Sequence, residues 1–374
     1  MLGAAFGHPA VTVAAVADVD IGWLGPARAG EPRRYDSLDG LLRDDRVEAV
    51  YVATPTPMHY EHVRKALDAG RHVIVEKPVT ATLRDAEELA ERAAALGRVV
   101  IVGHSEAFEP YVQAVRHVVA SGAIGVPVMV LAEKFTDWMR RPRLPEEWDG
   151  AAGGGIIRRQ GVHQVDVVRT VAGTRFSVQE ARVRIDPERG VPGGYVAWLA
   201  GEQGSSAVVT HDGIGRLSPA AAGRPPRPAA ADEAAKRSRR RALLRQVLDS
   251  RSAPRLGADD RERLLVLGTD GEITANSRQV SVTTAAGTAE VDLAGFAEGR
   301  PAVLDEFTAA LSGAGAVHTI AWGCASLRTC EDIERAALAA LAGQAALTGS
   351  RSALTHSRLR LATRSSKGMV SPTA

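Results

Sequence analysis

A chain of 374 residues with 45% hydrophobic and 24% charged side chains is long enough to bury two ordinary cores and too apolar for disorder over most of its length. Its 46 basic and 44 acidic residues leave a formal charge of +2, which gives no general electrostatic reason to expect nucleic acid or membrane as partner and favours a small molecule. No apolar run reaches membrane-span length, the N-terminus lacks the basic start of a secretion signal, and Cys324 and Cys330 share one apolar stretch where neither a disulfide nor a metal site is expected, all of which suits a cytoplasmic protein.

Residues 11–17 (VTVAAVA) read as a strand buried on both faces, with Asp18 at its tip. Residues 47–53, 72–75 and 99–102 read as three more such strands. The helices between them have clear boundaries: 57–69 starts on a proline and stops at Gly70, and 82–96 opens with a Thr-x-x-Asp cap and closes on Gly97. Regular alternation of strand and helix argues a parallel, doubly wound sheet of the Rossmann type over residues 1–103.

After Gly103 the pattern becomes α+β. A helix is expected at 111–121, a strand at 126–133, a helix at 162–171, and alternating strands near 178–185, 194–199 and 206–210, which together suit a mostly antiparallel open sheet in a second domain over residues 104–350. Residues 220–260 read as a long loop with one basic helix near 234–248, whose KRSRRR run (Lys236 to Arg241) is taken as a solvated face. Two helices are expected over 301–347, the second carrying Trp322, Leu327, Ile333, Ala337 and Leu341 at core spacing, and residues 351–374 read as a disordered tail.

The chemistry concentrates in three places. Glu76-Lys77-Pro78 follows one buried strand and Ala53-Thr54-Pro55-Thr56-Pro57-Met58-His59 follows the one before. A lysine at the carboxyl end of a parallel strand points into the crevice where ligands bind such sheets, and Pro78 fixes the turn that aims it. The third is Gly153-Gly154-Gly155 followed by Arg159-Gln160-Gly161-Val162-His163 and Asp166, a glycine-rich entry to a helix.

These three segments resemble the signatures of the Gfo/Idh/MocA family of NAD(P)-dependent oxidoreductases. The resemblance implies a nicotinamide cofactor lined by Ala53, Thr54, Pro55, His59, Glu76, Lys77 and Pro78, a cis peptide before that proline, and Lys77 and His163 as catalytic residues. It also implies a dimer or tetramer, formed by face-to-face packing of the second-domain sheet. Most relatives carry Asp-x-Gly-x-His where this chain has Arg159. Within the family, Gly103-His104-Ser105, the segment from Phe135 to Arg143 and the run 159–166 are similar to the branch that includes phthalate cis-4,5-dihydrodiol dehydrogenases. That branch implies a carboxylated ring diol as substrate, with Arg159, Gln160, His104 and Arg143 as binding residues.

For oxidation of an alcohol, one base of near-neutral pKa and one cation to stabilise the alkoxide suffice. His163 and Lys77 fit these two roles, and the sequence leaves open which is the base. Arg159 stays protonated and can grip a carboxylate. Asp18 would accept from both ribose hydroxyls and repel a 2′-phosphate, which favours NAD over NADP.

A dinucleotide fold opens with a strand and a Gly-x-Gly-x-x-Gly turn that holds the pyrophosphate, and nothing before Val11 supplies either. The strand concerned is the central one, so its loss is expected to leave its neighbours with unpaired backbone groups and to weaken both folding and cofactor binding. A start assigned too late, omitting roughly 15 to 25 residues, is one explanation; a decayed copy is the other. The function expected is hydride transfer at an alcohol or cis-diol carbon of a small, carboxylated ring. The alternatives are an inositol-like polyol dehydrogenase, a non-catalytic nucleotide-binding sensor, and an imine or enamine reductase.

Overall fold

The computed structural model describes residues 1–24, 31–140, 145–213, 261–296 and 299–348. The basic helix near 234–248, the tail beyond 350, and Arg141 and Arg143 lie outside these described residues.

The first domain is built on parallel strands in two groups. Strand β1 (Ala15–Ala17) pairs with β2 (Arg33–Tyr35), and β3 (Ala49–Val52), β4 (His72–Glu76) and β5 (Val100–Gly103) pair in that order. No ladder among the described residues joins the two groups. The expected strand over 11–17 shortens to three residues because β2 offers only three partners. Strand β2 itself, Arg-Arg-Tyr, has no apolar run by which to recognise it.

The runs at 73–75 and 100–102 are buried on both faces as expected, whereas residues 47–53 alternate between buried and open positions and residues 11–17 are part-buried or exposed. Val73, Val75, Val100 and Val102 face α3 (His59–Asp68) and α4 (Leu83–Ala95), through Val63, Ala66, Leu67, Ala86, Leu89 and Ala93. Ile74 and Ile101 face the other side, where Val303, Leu304 and Phe307 of a later helix meet Met1 and, from the short α1 (Leu2–Gly7), Ala4 and Ala5. A short helix, α2 (Leu38–Leu42), follows β2. The predicted cap on α4 is present: Thr82 Oγ1 accepts from Asp85 N at 3.2 Å.

The second domain is an eight-stranded sheet. Its strands are β6 (Pro127–Phe135), β7 (Phe176–Ile185), β8 (Pro192–Gly201), β9 (Ser206–Asp212), β10 (Arg261–Gly268), β11 (Gly271–Asn276), β12 (Gln279–Thr284) and β13 (Gly287–Glu290), in the order β13-β12-β11-β10-β6-β9-β8-β7. Only β6 and β9 run parallel, so the sheet is mostly antiparallel. Strands β10 to β13 were not anticipated, although Asp270-Gly271 between two alternating runs is a hairpin signal. Gly268 is required there, since a Cβ would fall 2.1 Å from the Ile124 carbonyl.

Helices α5 (Pro110–Ala120), α6 (Val162–Ala172) and α8 (Ile320–Thr348) cover one face of this sheet, while α7 (Gly299–Leu311) packs on β5 and α1 of the first domain. The amino-terminal half of α8 also closes the first domain's core through Ile320, Cys324 and Leu327. Both cysteines are buried and free. Across the other face, which no element among the described residues covers, an apolar row runs in register, Trp198 beside Val208, Val208 beside Leu131 and Leu131 beside Leu265. Among the described residues no helix is long and apolar enough to cross a membrane.

Candidate active site

Three parallel strands end at one rim. Strand β3 runs out into Ala53-Thr54-Pro55-Thr56, β4 into Lys77-Pro78 and β5 into His104-Ser105-Glu106, the edge at which ligands enter doubly wound sheets. The Lys77–Pro78 peptide is cis. His59, buried between the first two runs, has Nδ1 2.9 Å from Pro78 O and Nε2 2.8 Å from Thr54 O. Burial holds that imidazole below the ordinary histidine pKa. Thr54 Oγ1 lies 3.1 Å from His62 Nδ1, Glu76 accepts from the Tyr51 hydroxyl, and Ala53 and Pro55 stay exposed.

The opposite wall is the entry to α6. Gly153 has φ +73°, and a Cβ there would come within 2.9 Å of Ala81 Cα, so the glycine entry packs directly on the segment after Pro78. Residues Ile157–Gly161 wind as a π-helical turn, a feature common at functional sites. From this turn Arg159 O accepts from Lys77 Nζ at 2.7 Å. The Arg159 guanidinium donates to Thr56 Oγ1 at 3.0 Å and stands 3.3 Å from Glu147. A side chain expected to grip a substrate carboxylate is thus already paired, and it ties the loop after β3 to the π-helical turn. Gln160 lies in the same turn, half-buried.

His163 occupies the first turn of α6. The helix is fastened to the sheet by its neighbour Gln164, whose amide donates to Ala132 O at 3.1 Å and Thr210 O at 2.7 Å while its carbonyl accepts from the Tyr195 hydroxyl at 2.7 Å. Burial, then the cations Lys77 and Lys134, hold the His163 imidazole well below its ordinary pKa. Burial and the Arg159 charge push the Lys77 ammonium down to about 8. A neutral ring therefore shares the cleft with a cation that can still lose its proton.

The sheet adds residues that the sequence reading did not single out. Lys134, His211 and Glu262 lie on the covered-face parity of β6, β9 and β10, in line with Val130, Ala132, Val209 and Leu264. That placement was the available signal: a polar residue where the alternation demands an apolar one. Lys134 Nζ is 2.5 Å from Glu106 Oε1 and 3.9 Å from Glu262 Oε2. Burial pushes the Glu262 carboxyl up to about 7, and burial together with Lys134 pushes His211 down to about 3. Glu106 Oε1 lies 3.8 Å from His163 Nδ1.

Behind the cleft sits a buried polar cluster. His104, expected to touch substrate, is 1% exposed, with both ring nitrogens lacking a hydrogen-bond partner and Nδ1 3.8 Å from Asp166 Oδ2. Burial pushes it down to about 4. Asp166 Oδ1 accepts from Trp322 Nε1 at 2.5 Å, and the Arg169 guanidinium, one turn on, lies 3.9 Å from the centre of the Trp322 ring. Burial lowers that guanidinium to about 10 even though Asp166 raises it. Replacing Asp166 with Leu leaves Arg169 buried without its counter-charge, at a cost of about 3–5 kcal/mol; a urea midpoint unchanged from wild type would contradict this.

Asp18 stands at the tip of β1, half-buried, with Oδ1 accepting from Asp20 N at 2.9 Å. The residues present fit two ends of a dinucleotide: an acid for the ribose, and an exposed Ala53–Pro55 rim beside Lys77 for the nicotinamide. No Gly-x-Gly-x-x-Gly turn for the diphosphate occurs in the sequence.

Residues 10–104 match the family model described as "Oxidoreductase family, NAD-binding Rossmann fold", and residues 112–213 match the GFO/IDH/MocA C-terminal domain. The chain is similar to a 1-carboxy-3-chloro-3,4-dihydroxycyclohexa-1,5-diene dehydrogenase of Comamonas testosteroni, 34% identical over 206 residues that cover 54% of this chain and 52% of the relative. An inositol 2-dehydrogenase of Rubrobacter xylanophilus is 33% identical over 171 residues, 44% of this chain and 46% of the relative. The chain thus spans about half the length of these curated relatives. A solved structure from Bordetella bronchiseptica RB50 superposes with a TM-score of 0.73 at 29% identity, over 91% of this chain and 94% of that one. An oxidoreductase from Agrobacterium radiobacter in complex with NAD+, L-tartaric acid and magnesium shares the fold at 19% identity and a TM-score of 0.67, over 90% of this chain and 91% of that one.

Proposed function

Because the chain belongs to the Gfo/Idh/MocA oxidoreductase family, we propose that it is an NAD-dependent dehydrogenase acting on an alcohol or cis-diol carbon of a small ring, with His163 as base and Lys77 as the alkoxide-stabilising cation. The observation that carries this reading is the contrast between the two groups. The ring is held neutral, below the near-neutral value expected of a base, so its lone pair is open to a proton, while the ammonium, pinned by Arg159 O at 2.7 Å, stays charged below about pH 8. NAD, when bound, would accept the hydride. The chain's own residues would align the hydroxyl between Nζ and the imidazole and take up its proton.

For the substrate we favour a carboxylated ring diol, in keeping with the similarity to the Comamonas relative. Pairing of Arg159 with Glu147 supports the second reading, a neutral inositol-like polyol. A panel of carboxylated dihydrodiols and polyols, followed by NADH absorbance, tests both: turnover on the acids alone selects the first, turnover on neutral polyols alone the second, and none on either removes the enzyme reading. A non-catalytic sensor would bind nucleotide without turnover.

Asp18 supports NAD over NADP. Replacing it with Ser is expected to reduce the NAD-over-NADP preference in kcat/KM about tenfold or more, from lost ribose hydrogen bonds and lost repulsion of the phosphate. An unchanged ratio would place the ribose elsewhere.

We further propose a homodimer or homotetramer assembled through the uncovered sheet face. Val196 and Trp198 there are 43% and 48% exposed, and a connected apolar row of this kind marks an interface. Trp198→Lys is expected to shift the mass measured by light scattering toward the monomer; an unaltered oligomer would move the interface off this face. The cytoplasm is the compartment we propose, where two buried thiols stay reduced.

A further inference from the structure

We propose that Glu106 is the carboxylate partner of His163, a positioning residue that accepts a hydrogen bond from Nδ1, turns Nε2 toward the substrate and steadies the imidazolium formed in the reaction. The inference rests on the dehydrogenase reading for its chemistry and on separate geometry for its residues.

A buried histidine that must gain a proton needs a group to select its tautomer and to answer the charge it acquires. The helix that carries His163 does not supply one. Two residues before Gly161, where relatives place an aspartate, this chain has Arg159, and its guanidinium turns away to Thr56 and Glu147. His163 Nδ1 is fully buried and without a hydrogen-bond partner. Among the described residues, the carboxylate within 4 Å of it is Glu106, with Oε1 at 3.8 Å.

Glu106 reaches this place from a different element, the turn after β5, and is held there by Lys134 at 2.5 Å. Lys134 is 5% exposed, so its ammonium is a fixed anchor, whereas the Glu106 side chain keeps 24% of its surface open. A shift of about 1 Å closes the remaining gap to a hydrogen bond. The other charged or titratable groups facing the pair are Lys77, His104, His211, Glu262, Tyr111 and Tyr195. Burial, then Lys77 and Lys134, keep the resting ring neutral, so the carboxylate matters most once the proton has arrived.

The step balances simply. The substrate O–H bond breaks and its proton goes to Nε2; the carbon's hydride leaves with its electron pair for the nicotinamide; the Nδ1 proton stays hydrogen-bonded to Glu106. The exposed edge of that carboxylate then offers the proton a way to solvent.

The test is the tautomer of His163 in the full chain, read from nitrogen NMR with 15N-labelled histidine, the signal being assigned by its loss in His163→Asn. The neutral ring is expected as Nδ1–H in wild type, retained in Glu106→Asp and shifted mainly to Nε2–H in Glu106→Ala. An Nε2–H ring in wild type, or no change in Glu106→Ala, overturns the proposal. If Glu106→Ala does not fold, the wild-type tautomer and the kinetics of Glu106→Gln decide. Glu106→Gln is expected to lower kcat about 100-fold with KM within about threefold, and Glu106→Asp to recover most of the loss; equal activity in Glu106→Gln overturns the proposal. Absence of wild-type turnover on every substrate would remove the dehydrogenase reading alone, because the tautomer is measured without turnover.

Discussion

Replacing Lys77 with methionine is expected to lower kcat about 100- to 1000-fold while NAD and substrate still bind within about threefold of wild type. Methionine keeps the length and apolar stem of the side chain but removes the ammonium, which Arg159 O now holds at 2.7 Å between the first-domain rim and the α6 turn. What is lost is stabilisation of negative charge on the substrate oxygen, which develops only as the hydroxyl proton leaves. Calorimetry on the variant separates the readings: a sensor has no turnover to lose, and an enzyme loses turnover without losing affinity. The pH profile carries the same signature. Burial and Arg159 push the Lys77 pKa down to about 8, so the cationic form dominates below that value and kcat/KM should fall as pH rises through it. Lys77→Arg should remove that alkaline limb, since a guanidinium stays charged far above pH 8. An unmoved limb in the arginine variant would assign it to another group.

Acid should unfold this protein before its carboxylates titrate. Four buried imidazoles, His59, His104, His163 and His211, are held below the ordinary value of 6.5, His104 at about 4 and His211 at about 3. With folded pKa values depressed and the bases neutral, the unfolded chain binds more protons than the folded one below pH 6.5, and stability falls as pH falls. Glu262, pushed up to about 7, acts in the opposite sense, because the folded state already carries its proton between pH 4.5 and 7. His104 and His211, at about 4 and about 3, outweigh the single Glu262 proton by about one proton near pH 5, or roughly 1.4 kcal/mol per pH unit, and the lowered His59 and His163 add in the same direction. Urea unfolding at a series of pH values between 6.5 and 5 measures that slope directly. A slope under about 1 kcal/mol per unit would mean that these rings are protonated inside the fold.

The parts of the fold that were legible in the sequence are those with a strong local period. The runs at 73–75 and 99–102 are apolar throughout because both faces are covered, and the Thr82 cap and the Gly70 and Gly97 stops delimit their helices by backbone chemistry alone. Strand β2 was invisible because a three-residue edge strand, Arg-Arg-Tyr, is defined by its partner and not by its own pattern. The candidate rim was readable from short motifs, since Lys77 and His163 sit where strand ends and a glycine entry put them. What the sequence hid was pairing across distance. Nothing in the motif shows that the Arg159 charge is answered by Glu147, twelve residues earlier, that His104 is sealed against Asp166, or that Lys134 and Glu106 converge on His163 from a strand and a turn 28 residues apart.

His59 faces two carbonyl oxygens, Pro78 O at 2.9 Å and Thr54 O at 2.8 Å, and burial keeps its ring neutral. A neutral imidazole has one N–H to give and a carbonyl can only accept. At any instant one of the two rim segments is therefore fastened and the other is only touched, and a tautomer change hands the fastening across. The loop behind Ala53–Pro55 and the turn that aims Lys77 are in this way coupled by exclusion: when one is gripped, the other is freed.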